Sequence, residues 1–349
     1  MKLILGDYHI DEVQLVSSIL KQKPPLVKRK LASELGVDLS RVKKLLKKVK
    51  NDWSFSVQIN YHAIGLRRIV LVLSKKISNV DDKYLSLYAS TIEGNTILSY
   101  YLPLVHNPST IISKYIDGLK YYLILDGSYK PRPNLVRYYD KGMITVNFYE
   151  EIRKAFEENR GKKDLEVDSF IRRFNEVDLR IIMELQKDPL RSMRAIAEKL
   201  GYTVPRVSNH IRFLTKNNII ESFSLKAIPG AHKYLGKLVF ATIIIGIVPQ
   251  EYPLRRLAKT LSTIPLIGTV LYGNTLIEKH RSQIMEYRDK IIYIPILTYE
   301  KIVDYVHEII DLIKEHIEIY DVIIAIRKRK YTLPYKQEEY SKYKGFWNI

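Results

Sequence analysis

Apolar positions along this chain follow a helical spacing, then a strand spacing, and the whole sequence of spacings occurs twice. The clearer occurrence begins near residue 175. Ile181, Ile182 and Leu185 stripe one helix, and Met193, Ile196, Ala197 and Leu200 a second. Val207, Ile211 and Leu214 fall at i, i+4 and i+7, the buried face of a third. Gly201 stands where a left-handed cap ends the second helix, Thr203 where a side chain can cap the third, and Pro205 in its first turn. Asn217-Asn218 breaks that helix, and Ile219 to Leu225 reads as the strand that opens a wing. A short turn containing glycine between two small helices is the mark of a helix-turn-helix.

The N-terminal part follows the same scheme. Val16 and Leu20 mark a first helix, and Leu31, Ala32 and Leu35 a second that ends at Gly36. Asp38 can cap a third helix holding Val42, Leu45, Leu46 and Val49, and Phe55, Val57 and Ile59 alternate as a wing strand. Leu31-Ala32, Leu35-Gly36 and Arg41-Val42 recur 165 residues later as Ile196-Ala197, Leu200-Gly201 and Arg206-Val207. Further on, Gly94-Asn95-Thr96 is matched by Gly273-Asn274-Thr275. The preserved order of these matches argues for a duplication.

A mixed pattern follows each helical unit. In copy one it predicts a strand at 69–73, a helix from Asp81 to Ala89, a hairpin turning at Gly94-Asn95, a helix from Pro108 to Leu119 and a closing strand from Tyr121. Copy two predicts a strand at 238–248, a helix at 253–262, a strand at 267–272, a turn at Gly273-Asn274, strands within 275–297, a helix at 299–315 and a strand at 319–326. Residues 279–290 read as a charged insertion in the hairpin. The order βαββαβ is ferredoxin-like. The fold expected is therefore α+β: two winged helix-turn-helix domains and two ferredoxin-like domains in tandem. The divisions are 1–64 and 65–127 for copy one, a connector at 128–174, 175–230 and 231–327 for copy two, and a basic aromatic tail at 328–349. The connector reads as a charged helix from Glu150 to Arg173, with a hinge at Gly161-Lys162-Lys163, and the tail shows no core pattern from Arg327 onward.

Charge changes the picture. With 57 Lys and Arg against 38 Asp and Glu the formal net charge is +19, which attracts polyanions, nucleic acid first. Cysteine is absent, which excludes disulfides, thiolate-held zinc, iron–sulfur clusters and a cysteine nucleophile. The longest apolar run, 238–248, has 11 residues, where a spanning helix needs about 20. No membrane association is expected, and a cytoplasmic location is the default.

The segment from Asn175 through Asp178, Leu185, Asp188 and Arg191 to Ile196-Ala197 and Gly201, with Val207, Ile211, Leu214 and Ile219, resembles the helix-turn-helix of the Lrp/AsnC transcription regulators. That family joins a winged helix-turn-helix to a βαββαβ sensing domain. The resemblance implies double-stranded DNA as partner, room for a small-molecule effector and pairing through the ferredoxin-like halves, here within one chain and in a homodimer of such chains. In the family the hairpin turn usually reads Gly-x-x-Asp; here Ile97 and Leu276 stand three residues after Gly94 and Gly273. That favours a pairing role for these halves.

A recognition helix presents its N-terminal residues to base edges in the major groove. In copy two the outward positions are Thr203, Pro205, Arg206, Asn209 and His210, with Arg212 and Lys216 beyond. Arg206 and Asn209 suit guanine and adenine, and Arg212 and Lys216 suit phosphate. In copy one the corresponding positions are Ser40, Arg41, Lys43, Lys44, Lys47 and Lys48. Residues 21–50 carry a net +9 and residues 175–225 a net +2. Lysine contacts phosphate but discriminates bases poorly, so copy one is expected to anchor and copy two to specify.

No phosphate-binding loop, dinucleotide fingerprint or zinc-protease motif occurs, and the eight histidines are scattered. The expectation is a regulator that is not an enzyme and uses no cofactor or metal. Two alternatives remain open. Siroheme decarboxylases are Lrp-like, occur as fused two-copy chains and bind a tetrapyrrole in the sensor-like half, where this chain has His106 and His280. The other is a non-specific architectural DNA-binding protein.

Overall fold

The structure, a computed structural model, describes residues 1–77, 80, 84–166, 174–280 and 283–330, with the side chains of 280, 283, 284 and 327–330 left aside. The chain opens with β1 (Lys2–Asp7) and three helices, α1 (Ile10–Lys21), α2 (Lys28–Leu35) and α3 (Leu39–Asp52), then β2 (Ser54–Ile59). The first sheet unit holds β3 (Leu66–Leu73), β4 (Leu85–Thr91), β5 (Thr96–Pro103), the short α4 (Ser109–Ile112) with a 3-10 turn after it, and β6 (Leu119–Tyr129). Next come β7 (Tyr139–Asp140), β8 (Met143–Asn147) and α5 (Phe148–Glu157).

The second copy has α6 (Glu176–Lys187), α7 (Met193–Leu200), α8 (Val204–Lys216) and β9 (Ile220–Ala227). After the small α9 (Ala231–Leu235) it continues with β10 (Leu238–Ile247), α10 (Leu254–Leu261), β11 (Val270–His280), β12 (Gln283–Tyr287), β13 (Ile291–Tyr299), α11 (Val306–Lys314) and β14 (Glu318–Lys330). The mixed, duplicated α+β fold is as the spacing predicted. Helix ends follow the predicted chemistry. The Asp38 carboxylate accepts from the Arg41 amide at 2.8 Å, the Thr203 hydroxyl from the Arg206 amide at 3.4 Å, and Gly36 and Gly201 cap their helices at φ +62° and +68°.

The two sheet units close on each other. Strands pair in the order β11, β13, β10, β14, β4, β5, β3, β6, and β6 returns to β11; β12 flanks β11. Each copy thus donates its last strand to the second strand of the other: β14 lies antiparallel on β4 and β6 on β11. Closure satisfies backbone groups that an open sheet leaves at its edges. The barrel is filled from inside by alternate residues of its strands, among them Val70, Val72, Ile97, Leu123, Leu125, Ile243, Ile245, Leu271 and Ile323.

The helical units are exchanged in the same sense. Leu179, Ile182, Ile196, Val207 and Leu214 of copy two share a core with Ile69, Leu71, Leu98 and Ile111 of the first sheet unit. Val13, Ile19, Leu31 and Val42 of copy one belong to a core that runs through Phe148, Ile152 and Phe156 of α5 to Leu257, Leu261, Ile309 and Leu312 of the second. Burying one Leu or Ile side chain stabilises by about 1.5–3 kcal/mol, so these shared cores hold the two copies together.

Several local expectations are corrected. Of the helix expected at 81–89, residues 81–83 lie outside the described residues and Leu85 onward is β4, whose residues alternate in burial against β5 and β14. The turn expected at Gly273-Asn274 does not form: β11 continues through both residues, with a register shift on either side of Gly273. Gly273 is needed instead because a Cβ there would stand 2.3 Å from the Ile124 carbonyl oxygen of β6. The two wing strands do not fold back on their own copies. β2 and β9 pair with each other, Val57 opposite Phe223. The expected tail begins later, since β14 continues through Arg327 to Lys330 along β4. The charged helix expected at 150–173 ends at Glu157, and residues 158–166 are not helical; residues 167–173, like 281–282 of the hairpin and 331–349 of the tail, lie outside the described residues.

Candidate nucleic-acid interface

Helix α8 presents two faces of opposite character. Val207, Ile211 and Leu214 are buried, and Thr203, Pro205, Arg206, Asn209, Arg212 and Lys216 are exposed. The Arg206 guanidinium carbon stands 4.4 Å from the centroid of the Tyr202 ring, which holds an otherwise floppy side chain near the helix start. Nothing in the sequence pattern marked Tyr202 for that role.

His210 departs from the expected outward set. Its Nδ1 lies 2.8 Å from the Asp178 carboxylate, and the ring is turned onto α6 rather than into solvent. Asp178 is fully buried and also accepts from the Asn175 amide at 3.0 Å, within a capping box. Burial pushes its carboxyl above the usual carboxylate range, while His210 and the Asn175 amide pull it back. The capping box was legible at i, i+3; the contact with a residue 32 positions away was not.

On α3, Ser40, Arg41, Lys43, Lys44, Lys47 and Lys48 are all exposed. They are not equivalent. The Ser40 hydroxyl donates to Asp38 at 2.5 Å and belongs to the cap. Arg41 donates to Asp11 at 2.6 Å, and Lys48 lies 2.5 Å from Glu12, both acids on α1. The Arg41 hydrogen bond holds the Asp11 carboxyl below its ordinary value. Lys43, Lys44 and Lys47 meet no carboxylate among the described residues and are the cations most available to an external anion.

His106 packs edge-on against Tyr84 at 5.7 Å, and the side chain of His280 lies outside the described residues. Among the described residues no group of three His, Asp or Glu side chains is placed to hold a metal ion, and no helix is long and apolar enough to cross a membrane.

Residues 174–221 match the winged helix-turn-helix DNA-binding family. No curated protein matches the chain in sequence. Among solved structures, the siroheme decarboxylase NirDL, in complex with an iron-uroporphyrin III analogue, is 13% identical over 96% of this chain and 98% of its own, with a TM-score of 0.54. LrpC of B. subtilis is 20% identical over 48% of this chain and 100% of its own, with a TM-score of 0.32. A transcriptional regulatory protein of the AsnC family from Pyrococcus furiosus is 21% identical over 46% of this chain and 94% of its own, with a TM-score of 0.28. The expectation that the chain is not an enzyme is overturned by the first of these. An enzyme has this architecture from end to end, so the lack of a catalytic motif in the sequence does not exclude catalysis. Residues 174–221 thus match a winged helix-turn-helix DNA-binding family, within a chain whose full-length fold is similar to that of NirDL.

Proposed function

We propose that the chain is a sequence-specific double-stranded DNA-binding transcription regulator of Lrp/AsnC type, cytoplasmic, in which one polypeptide supplies both helix-turn-helix units as a covalent pseudo-dimer. The observation that carries this reading is α8, whose apolar stripe is buried while Arg206 and Asn209 stay exposed at its N-terminal half. Helix α3 is its anchoring counterpart, through Lys43, Lys44 and Lys47. Two such helices suit half-sites about 34 Å apart, and because the copies differ the operator need not be palindromic. Within the barrel sheet, association of two chains through a strand edge falls to β12, since closure occupies the neighbouring strands.

The test is selection of bound duplexes from fragmented genomic DNA, followed by titration on the enriched site and on a random duplex across salt concentrations. Preference for the enriched site at every salt supports the reading. Equal affinity for both duplexes throughout would leave only architectural binding.

A second reading is favoured by the full-length likeness to NirDL: a tetrapyrrole-binding enzyme on the same frame. It ranks second because likeness at this identity transfers the fold and no site residue. Addition of an iron tetrapyrrole followed by absorbance distinguishes the two. A saturable Soret shift at stoichiometric protein supports the enzyme, and an unshifted band removes it.

A further inference from the structure

The turn between α1 and α2 of copy one carries a lysine that reaches the other copy. Gln22, Pro24, Pro25 and Leu26 are buried, while Lys23 among them is exposed. The turn is held from behind: Arg132 Nε donates to the Leu20 carbonyl at 2.7 Å, and the Val27 amide to Gln22 Oε1 at 3.4 Å. Two prolines with fixed φ stiffen it further. Lys23 therefore projects from a packed support.

Its ammonium donates to the Thr215 carbonyl at 3.1 Å and to Asn218 Oδ1 at 3.4 Å. Thr215 lies in the last turn of α8, and Asn218, at φ +51°, is a left-handed residue just beyond that helix. The last carbonyls of a helix lack partners within it and carry the negative end of its dipole, so a cation is favoured there. Here the cation comes from the copy to which α8 does not belong. The same two units also share apolar packing: Leu190, in the turn between α6 and α7, is buried in the core that holds Leu20 and Leu26.

The contact runs one way. At an offset of 165 residues, Lys23 corresponds to Asp188. An acid is disfavoured at a helix C-terminus, and Asp188 instead accepts from the Leu190 amide of its own turn at 3.2 Å.

We propose that Lys23 is a positioning residue for the recognition helix of copy two. It holds the end of α8 against copy one, fixes the separation of α8 from α3, and so sets the spacing between half-sites that the chain accepts. The contact is exposed and adds little to stability, so its loss leaves the fold in place and frees the orientation of α8. His210 and Asp178 fix α8 within its own unit; Lys23 fixes it relative to the other unit. The step from orientation to spacing rests on the DNA-binding reading; the clamp itself does not.

The chain has no cysteine, so spin labels at Lys47→Cys on α3 and Arg212→Cys on α8, both exposed, report one distance in the full chain without DNA. A narrow distribution is expected with Lys23 in place, a broader or shifted one in Lys23→Met, and a narrow one again in Lys23→Arg, which keeps the cation. An unchanged distribution in Lys23→Met rejects the clamp. Unlabelled chains are then titrated on duplexes whose half-sites are separated by spacers of graded length. Preference for the matched spacer should fall by about threefold to tenfold in Lys23→Met, and Lys23→Arg should stay near wild type. An equally sharp preference in Lys23→Met rejects the spacing role. A chain whose label distance broadens but which binds no duplex upholds the clamp and rejects the DNA-binding reading.

Discussion

His210 of α8 and Asp178 of α6 form a buried contact, Nδ1 to Oδ1 at 2.8 Å, that fixes the recognition helix to the first helix of its unit. Removing the imidazole strands a carboxylate with no exposure to water. His210→Ala should therefore lose about 1–3 kcal/mol of stability, read from urea denaturation. It should also broaden sequence preference, since α8 is no longer held in one orientation. A variant as stable as wild type would show that the contact is incidental.

The same carboxylate gives a pH signature. Asp178 has its folded pKa raised, so the folded state takes the proton more readily than the unfolded chain. Its contribution is fully present below the ordinary carboxylate value of about 3.9 and is lost as pH rises through the folded value. Asp178→Asn does not titrate and still offers His210 an oxygen. Its urea midpoint relative to wild type should therefore rise as the pH climbs from about 4 through the folded value. A difference independent of pH above about 4 would contradict the assignment.

His316 predicts the opposite slope. Its ring stacks on Phe156 of α5 at 4.6 Å, Nδ1 lies 3.2 Å from the Tyr252 hydroxyl, and Nε2 is buried without a hydrogen-bond partner. Burial lowers its pKa, so its contribution is present above the unfolded value of about 6.5 and is lost as pH falls. The melting temperature should drop below about pH 6.5 in wild type. His316→Phe, which keeps the stack, should flatten that drop. An identical profile in both proteins would place the sensitivity elsewhere.

Arg206 and Lys44 should separate reading from anchoring. Arg206→Ala should cost about 1–3 kcal/mol on the preferred duplex and much less on a random one. Lys44→Ala should weaken both alike and reduce the salt slope by about one. Parallel losses for Arg206→Ala on both duplexes would end the division between the copies.

Gly273→Ala tests the crossing of β11 over β6. A Cβ at that position meets backbone at 2.3 Å, and no rotamer change can relieve it. The seam between the copies should weaken by about 1–3 kcal/mol or more. A neutral substitution, measured by thermal melting, would mean the strands separate more freely than the pairing indicates.

What the linear sequence determined is local and periodic. A helix with apolar residues at Val207, Ile211 and Leu214, a capping threonine at 203 and a left-handed glycine at 201 carries its own instructions, because every interaction involved spans only a few residues. The duplication and the α+β class were legible for the same reason. Tertiary structure decided what each strand pairs with and what each polar group faces. The wing strand Phe55–Ile59 alternates as well in a hairpin as in a cross-copy ribbon, and nothing local distinguishes the two. Gly273 reads as a turn because glycine permits turns, whereas its reason is a backbone 149 residues away at Ile124. His210 shows the same limit in a side chain. Its spacing said that it faces outward, but only the folded chain sets a buried carboxylate beside it.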